Sequence, residues 1–492
     1  MTILKKISCC SIFLVSALAS LAQQPVSKDI IINGLSPLPK DSAQRLYVKD
    51  IIVKGARQTK EYIVLREIPV KKGDTLINSK LFDALQLARQ QVYNLTLFNE
   101  VQVVADVNDS NAISITVHLK ERWYIFPVPQ FQLVDRNFNV WARNYNYSLD
   151  RVNYGLKFVH YNLSGRKDQL RIYLLNGYSR NISFSYTAPY SNAALTEGFT
   201  VAGGYTQNRE IAYKTSSNNV VLFYPVDSAT KARSEFVRNS WYLSAGYIIR
   251  KGSFRRHIFS GGYVFLKVAD SVINARYNPN YFKDAVTSRG YTEFQYTYQY
   301  VNVDNVLYAL KGTTAYFSAV KRGLGFTGGI NMFSLEGGLN KYFAMGRHWY
   351  SSFQLNGKIK LPFDQAYINQ RGLGYGENYL RGLEYYVVDG VMTGLLRTTI
   401  KKKIYSFSVP IPFAFLHRIA THIPFSFYAK AYADMGYGYN KPKYDTYLNN
   451  RLLYTGGFGI DILTLYDINL RFEYSFNQLN ERGLFFHTQS GF

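Results

Sequence analysis

The residue best equipped for chemistry in this sequence lies in its longest irregular stretch. Residues 362–390 read PFDQAYINQRGLGYGENYLRGLEYYVVDG and contain Gly372, Gly374, Gly376, Gly382 and Gly390. A loop this long is uncommon unless it is functional or disordered, and glycines permit tight turns and close packing. Such a loop can fold back into the body of the protein with Arg381 at its tip. An arginine there presents a planar, permanently charged fork that can meet a carboxylate through two hydrogen bonds. A solvated loop arginine is the plainer reading, and Arg371-Gly372-Leu373 is a competing Arg-Gly site earlier in the same loop. No G-x-S-x-G, H-E-x-x-H or Walker A pattern occurs. His417 and His422 have no further ligand at metal spacing. The expectation is a protein that is not an enzyme, with no cofactor and no metal site.

The elements that must hold this loop alternate with a period of two. From Trp123 onward no helical period persists. In Ile468–Phe476 the apolar Ile468, Leu470, Phe472, Tyr474 and Phe476 alternate with Asn469, Arg471, Glu473 and Ser475; Glu293–Tyr300, Asn181–Ala188 and Phe353–Leu361 repeat the pattern. A strand with one apolar and one polar face separates two media, which in a membrane are lipid and a wet lumen. About sixteen such segments fit between residues 123 and 492, the first centred near residue 131 and the last near 487. The loop 362–390 then joins the eleventh and twelfth. Asp434, on the thirteenth, shares parity with Tyr432 and Gly436 against Ala431, Ala433 and Met435, so it faces the lumen. The last strand, Gly483–Phe492, puts Leu484, Phe486, Thr488, Ser490 and Phe492 on one face, with Phe492 expected near the periplasmic interface and the strand closing the barrel against the first.

Composition agrees with a barrel. The 492 residues include 43 Tyr and 33 Phe, and aromatics reach 16%, as interfacial girdles require, while mean hydropathy stays near zero at −0.16. No stretch beyond the leader is long and apolar enough for a transmembrane helix, and closed barrels are the other structure that satisfies every backbone group in hydrocarbon. The formal net charge of +24 suits anionic lipid head groups or an anionic client. Nucleic acid is a poor partner, since no recognition motif accompanies the charge. Residues 1–22, with Lys5 and Lys6 before the apolar run Ile12–Leu21, read as a secretory signal peptide cleaved after Ala22. Both cysteines, Cys9 and Cys10, fall inside it.

Between leader and barrel the period changes. Residues 23–44 read as an extended lead-in. Residues 45–122 follow a β-α-α-β-β pattern: a strand Tyr47–Val53, a short helix capped by Thr59 and running through Glu67, a turn at Lys71–Asp74 and a helix near Ser79–Asn94 with Leu81, Leu85, Ala88 and Val92 on one face. Two alternating strands follow, around Val101–Val107 and Ile113–Leu119. Two helices on a three-stranded sheet make a small α+β domain able to close its own core.

Leu380-Arg381-Gly382-Leu383 resembles the aliphatic-Arg-Gly-aromatic motif of the BamA/TamA-like superfamily of outer-membrane assembly and secretion proteins. Tyr432-Ala433-Asp434-Met435-Gly436 resembles the Asp-hydrophobic-Gly motif of its thirteenth strand, and residues 45–122 look like one POTRA domain. The resemblance implies a mainly β fold: a C-terminal 16-stranded transmembrane β-barrel of the surface-antigen kind, preceded by one small α+β POTRA domain in the periplasm. It implies that the Arg381 loop enters the lumen and that Arg381 meets Asp434. It implies an insertase or translocase whose partners are unfolded outer-membrane or secreted client proteins, periplasmic chaperones or accessory lipoproteins, and outer-membrane lipid. Leu383 departs from the usual aromatic, and Leu395 stands near the place on the twelfth strand where relatives carry a second acidic partner. A passive pore or surface barrel without clients is the alternative, against which a periplasmic domain argues.

Overall fold

In a computed structural model, the described residues are 29–33, 44–108, 111–134, 141, 146–225, 235–325, 330–412, 422–441 and 446–489. The leader, His417, Ser490 and Phe492 lie outside them.

The N-terminal unit is a five-stranded sheet with two helices. Its strands are β1 (Ile30–Asn33), β2 (Arg45–Lys54), β3 (Thr75–Ile77), β4 (Phe98–Val107) and β5 (Ala112–Glu121), and its helices α1 (Glu61–Leu65) and α2 (Asn78–Tyr93). Strand order is β1-β4-β5-β2-β3. Helix α2 buries Leu81, Leu85, Ala88 and Val92 against Val101, Val103, Ala105, Ile113, Ile115 and Val117, as the two periods require.

The sequence reading needs three corrections here. The sheet has five strands rather than three, because part of the lead-in, Ile30–Asn33, lies parallel to Val103–Asp106, and Thr75–Ile77 pairs with Arg45–Tyr47. Both pieces are too short to show a period. Thr59 does not cap a helix: α1 starts after Lys60 without a side-chain cap, and the Thr59 hydroxyl instead pairs with Tyr124 at 3.0 Å and accepts from Asn162 at 2.9 Å. Nor is the core self-contained. Tyr124, Tyr190 and Leu195, from the barrel, belong to the same buried cluster.

The joint between the two units is polar as well as apolar. Arg250, at the end of a barrel strand, donates to both oxygens of Glu67 at 2.5 Å, and Tyr190 donates to Glu67 at 3.1 Å. Burial alone would raise the Glu67 pKa; the hydrogen bonds and charge of Arg250 outweigh it and hold the carboxyl below its ordinary value. Gln90 and Asn94, at the end of α2, donate to the Val303 carbonyl at 2.6 and 2.7 Å. Arg122 meets Asp467 at 3.0 Å.

The barrel is one sixteen-stranded antiparallel sheet. Its strands are β6 (Ile125–Leu133), β7 (Val152–Tyr161), β8 (Gln169–Gly177), β9 (Ser179–Ala188), β10 (Glu197–Asn208), β13 (Arg238–Lys251), β14 (Arg255–Val268), β15 (Ser288–Val303), β16 (Gly312–Arg322), β17 (Met332–Gly346), β18 (Trp349–Leu361), β19 (Met392–Pro410), β20 (His422–Tyr439), β21 (Leu452–Leu463), β22 (Asn469–Asn477) and β23 (Arg482–Gln489). A separate hairpin, β11 (Ile211–Ser216) with β12 (Asn219–Phe223), rises between β10 and β13. Leu243, Phe353, Leu355, Phe458, Leu484 and Phe486 stand exposed on the outer face, the apolar band that lipid covers.

The expected closure by the last strand is not seen among the described residues: β6 and β23 are the two ends of the sheet and no ladder joins them, while residues 490–492 of the expected closing strand lie outside the described residues. The first strand, IFPVPQFQL, carries Pro127 and Pro129, which share parity and remove two donors from the same edge; a strand of this kind cannot offer a full ladder to two neighbours.

Candidate functional site

The glycine-rich loop leaves β18 and runs back into the barrel. A buried lysine at the end of β18 gathers its two ends: Lys360 donates to the carbonyls of Asn369 at 2.7 Å, Arg371 at 2.5 Å and Gly390 at 3.1 Å. Leu373 and Val388 form an antiparallel bridge across the loop. The β11–β12 hairpin covers it, since Thr215 donates to Asp389 and the Val387 amide donates to the Asn218 carbonyl at 2.8 Å.

At the tip, Arg381 is 7% exposed and Asp434 1%. Arg381 Nε donates to Asp434 Oδ2 at 2.9 Å and Nη2 to Oδ1 at 2.5 Å. The Arg381 amide adds a third bond to Oδ2 at 3.1 Å. The rest of the guanidinium donates to Thr399 Oγ1 at 3.0 Å and the Thr398 carbonyl at 3.2 Å, and lies 4.0 Å from the centre of the Tyr432 ring. A fork held on one face by a ring and on its edges by four acceptors has little freedom left. Arg371, the competing arginine, is exposed.

The glycines of the two motifs have steric reasons. A Cβ on Gly436 would stand 2.7 Å from Leu380 Cδ1, so the gap in the wall admits the residue before Arg381. Gly382 has φ +98°, and its Cβ would stand 2.9 Å from that of Ser475. Leu380, Leu383 and Leu395 are buried in one apolar cluster with Leu373, Val388, Leu448 and Leu453.

Leu395 therefore packs the loop; it does not face Asp434. The register pairs Leu395 with Gly436 and Arg397 with Asp434. Arg397 donates to the carbonyls of Tyr379, at 3.1 Å through Nε, and Glu377, at 2.7 Å. A second arginine thus fastens the stretch just before the motif.

Around the latch the lumen wall carries a charge ladder. Lys430 on β20 bridges Asp461 on β21 at 2.5 Å and Glu473 on β22 at 2.6 Å, and Lys401 on β19 meets Asp461 at 3.0 Å. Tyr308 donates to Asp461 at 2.8 Å. These residues and Arg381 line a polar cavity of about 530 Å³ that also touches Asn94 and Thr96 beyond α2. Sequence reasoning passed over Arg397, Lys401, Lys430 and Asp461, although their strand parity with lumen-facing neighbours was available; what parity cannot give is which charges meet across strands. Glu384 and His487 were also passed over, and they lie beside Glu473. Leu484 and Phe486 face outward and Phe485 inward.

Residues 46–122 match the family described as "POTRA: Surface antigen variable number repeat". A putative outer membrane protein assembly factor of Treponema pallidum (strain Nichols) is 32% identical over 82 residues, which is 16% of this chain and 9% of that protein's length. Among solved structures, BamA from Haemophilus ducreyi lacking POTRA domains 1–3 aligns with TM-score 0.48 and 15% identity, over 91% of this chain and 85% of that one. CdiB from Escherichia coli aligns with TM-score 0.47 and 10% identity, over 96% and 94%. A POTRA domain joined to a sixteen-stranded barrel defines the class: an outer-membrane barrel whose N-terminal domain stands in the periplasm. Within that class, residues 46–122 belong to the POTRA family.

Proposed function

We propose that this protein assists the insertion or export of other proteins at the outer membrane, by presenting backbone edges to unfolded chains and without covalent chemistry. The observation that carries the reading is the seam between β6 and β23, unpaired among the described residues, beside a lumen occupied in part by the protein's own latched loop. An unpaired edge offers free donors and acceptors to an incoming strand, and an aqueous pore gains nothing from an occupied lumen. The POTRA sheet supplies a second edge. β5 is central; β1 covers β4 only at Val103–Asp106, and on β2 the strand β3 reaches only Arg45–Tyr47, so among the described residues Phe98–Gln102 of β4 and Asp50–Lys54 of β2 have no strand neighbour on their outer sides. Clients are unfolded outer-membrane or secreted polypeptides; chaperones or accessory lipoproteins would deliver them.

Reconstitution tests this. In lipid vesicles containing the protein, a urea-unfolded outer-membrane protein should acquire its folded gel mobility faster than in empty vesicles. Equal rates for every client tried, together with large, steady conductance, would favour the passive pore.

A further inference from the structure

Three unpartnered donor atoms converge where the infolded loop meets the last two strands. Glu384 follows the loop motif, Glu473 is on β22 and His487 is on β23. Glu384 is 6% exposed and Glu473 is fully buried. Glu384 Oε1, Glu473 Oε2 and His487 Nε2 are each buried without a hydrogen-bond partner among the described residues. His487 Nε2 is 3.4 Å from the first and 3.5 Å from the second, and all three atoms lie within 4.8 Å of one another.

A shared proton explains this poorly. Charge-assisted N–H···O bonds run at roughly 2.7–2.9 Å, whereas one Nε2–H shared between these two carboxylates would make two long contacts, 3.4 and 3.5 Å. Without a cation between them, two buried carboxylate oxygens and a ring nitrogen face one another unsatisfied, which is costly. A metal ion accounts for the spacing. Ligand atoms about 2.1 Å from a tetrahedral zinc ion stand about 3.4 Å apart.

The remaining atoms of the trio are anchored, so the free ones are aimed. Glu384 Oε2 accepts the Gly382 amide at 2.7 Å, and Glu473 Oε1 accepts from Lys430 at 2.6 Å. Tyr379 stacks on the His487 ring with centroids 5.4 Å apart and planes 26° apart. Outer partners that fix the orientation of ligands in this way typify metal sites. Two neighbouring cations are also engaged elsewhere, Lys430 with Asp461 and Arg381 with Asp434; Arg471, opposite His487 in the strand register, keeps a buried Nε without a hydrogen-bond partner among the described residues.

We infer that Glu384, Glu473 and His487 bind a divalent transition-metal ion of the zinc type, tying the infolded loop to β22 and β23 beside the open seam. Imidazole with two carboxylates suits zinc, whereas calcium and magnesium take six or more ligands, nearly all oxygen. The polar cavity lined by Glu473 and Tyr379 gives a route from the lumen and room for water as a fourth ligand.

The test uses the untagged, detergent-solubilised full chain, stripped with chelator and titrated with zinc alone. Wild type should take up one zinc per chain and melt at a higher temperature with it. His487→Ala and Glu384→Gln, each checked for folding by heat-modifiable gel mobility, should bind about tenfold or more weakly and lose the shift. X-ray absorption of zinc-loaded wild type keeps the inference testable if the variants misfold: one imidazole nitrogen with oxygen ligands is expected. No stoichiometric uptake, unchanged binding in folded variants, or a zinc shell of several imidazoles would overturn the site.

Discussion

Replacing Arg381 with alanine removes four side-chain hydrogen bonds and the contact with Tyr432, and leaves Asp434 with one donor from the loop, the amide of residue 381. Removing one partner of a buried pair costs roughly 3–5 kcal/mol, against roughly 0–1 kcal/mol for a solvated pair. At 7% and 1% exposure the pair belongs near the upper range. In Asp434→Ala, Arg381 keeps Thr399, the Thr398 carbonyl and the Tyr432 ring, so that variant falls toward the lower end of it. The double variant strands neither charge, and should lie within about 1 kcal/mol of the worse single variant. Urea unfolding of the protein in lipid vesicles, followed by tryptophan fluorescence, gives the three free energies; trypsin added from outside reports the loop, which should become cleavable in each variant while membrane assembly is largely kept. Single losses below about 1 kcal/mol, or a double-variant loss equal to the sum of the singles, would refute the latch.

Glu67→Gln should loosen the joint between POTRA domain and barrel, seen as faster proteolysis near residues 122–124; an unchanged rate would mean that Arg250 does not hold the domain. Because the folded pKa of Glu67 is depressed, its stabilisation is present above the unfolded value of about 4.3 and disappears as pH falls through the folded one. Wild type should therefore loosen below about pH 4 while Glu67→Gln shows a smaller change. Phe486→Lys places a charge on the lipid face of β23 and should destabilise the barrel by up to about 2–4 kcal/mol, less if the position lies near an interface; no change in the folded gel band would contradict the outward assignment. Ile52→Lys, a charge on the open stretch of β2, should weaken client crosslinking to the POTRA sheet while leaving its circular dichroism unchanged, and undiminished crosslinking would exclude that edge.

Alternation made the barrel legible, since each of the sixteen strands must show lipid one face and water the other. Asp434 was readable for the same reason. Elements without a period were not readable: β1 and β3 are only 4 and 3 residues long and are strands through the neighbours they join. The joint depends on Glu67 and Arg250, 183 residues apart, and no local pattern links them. That Leu395 packs against Leu380 and Leu383 while Arg397 stands opposite Asp434 was not readable, because a strand's period fixes the face but not the register against its neighbour. Glu384, Glu473 and His487 come from a loop and two strands, so their meeting appears only once the loop has folded inward.

Depletion of the protein from its host, followed by quantitative proteomics of the outer membrane and the medium, tests the central claim most directly. The account predicts that particular outer-membrane or secreted proteins fall while their precursors collect in the periplasm, and that wild type restores them better than Arg381→Ala does. An unchanged outer-membrane and secreted proteome after full depletion would contradict it.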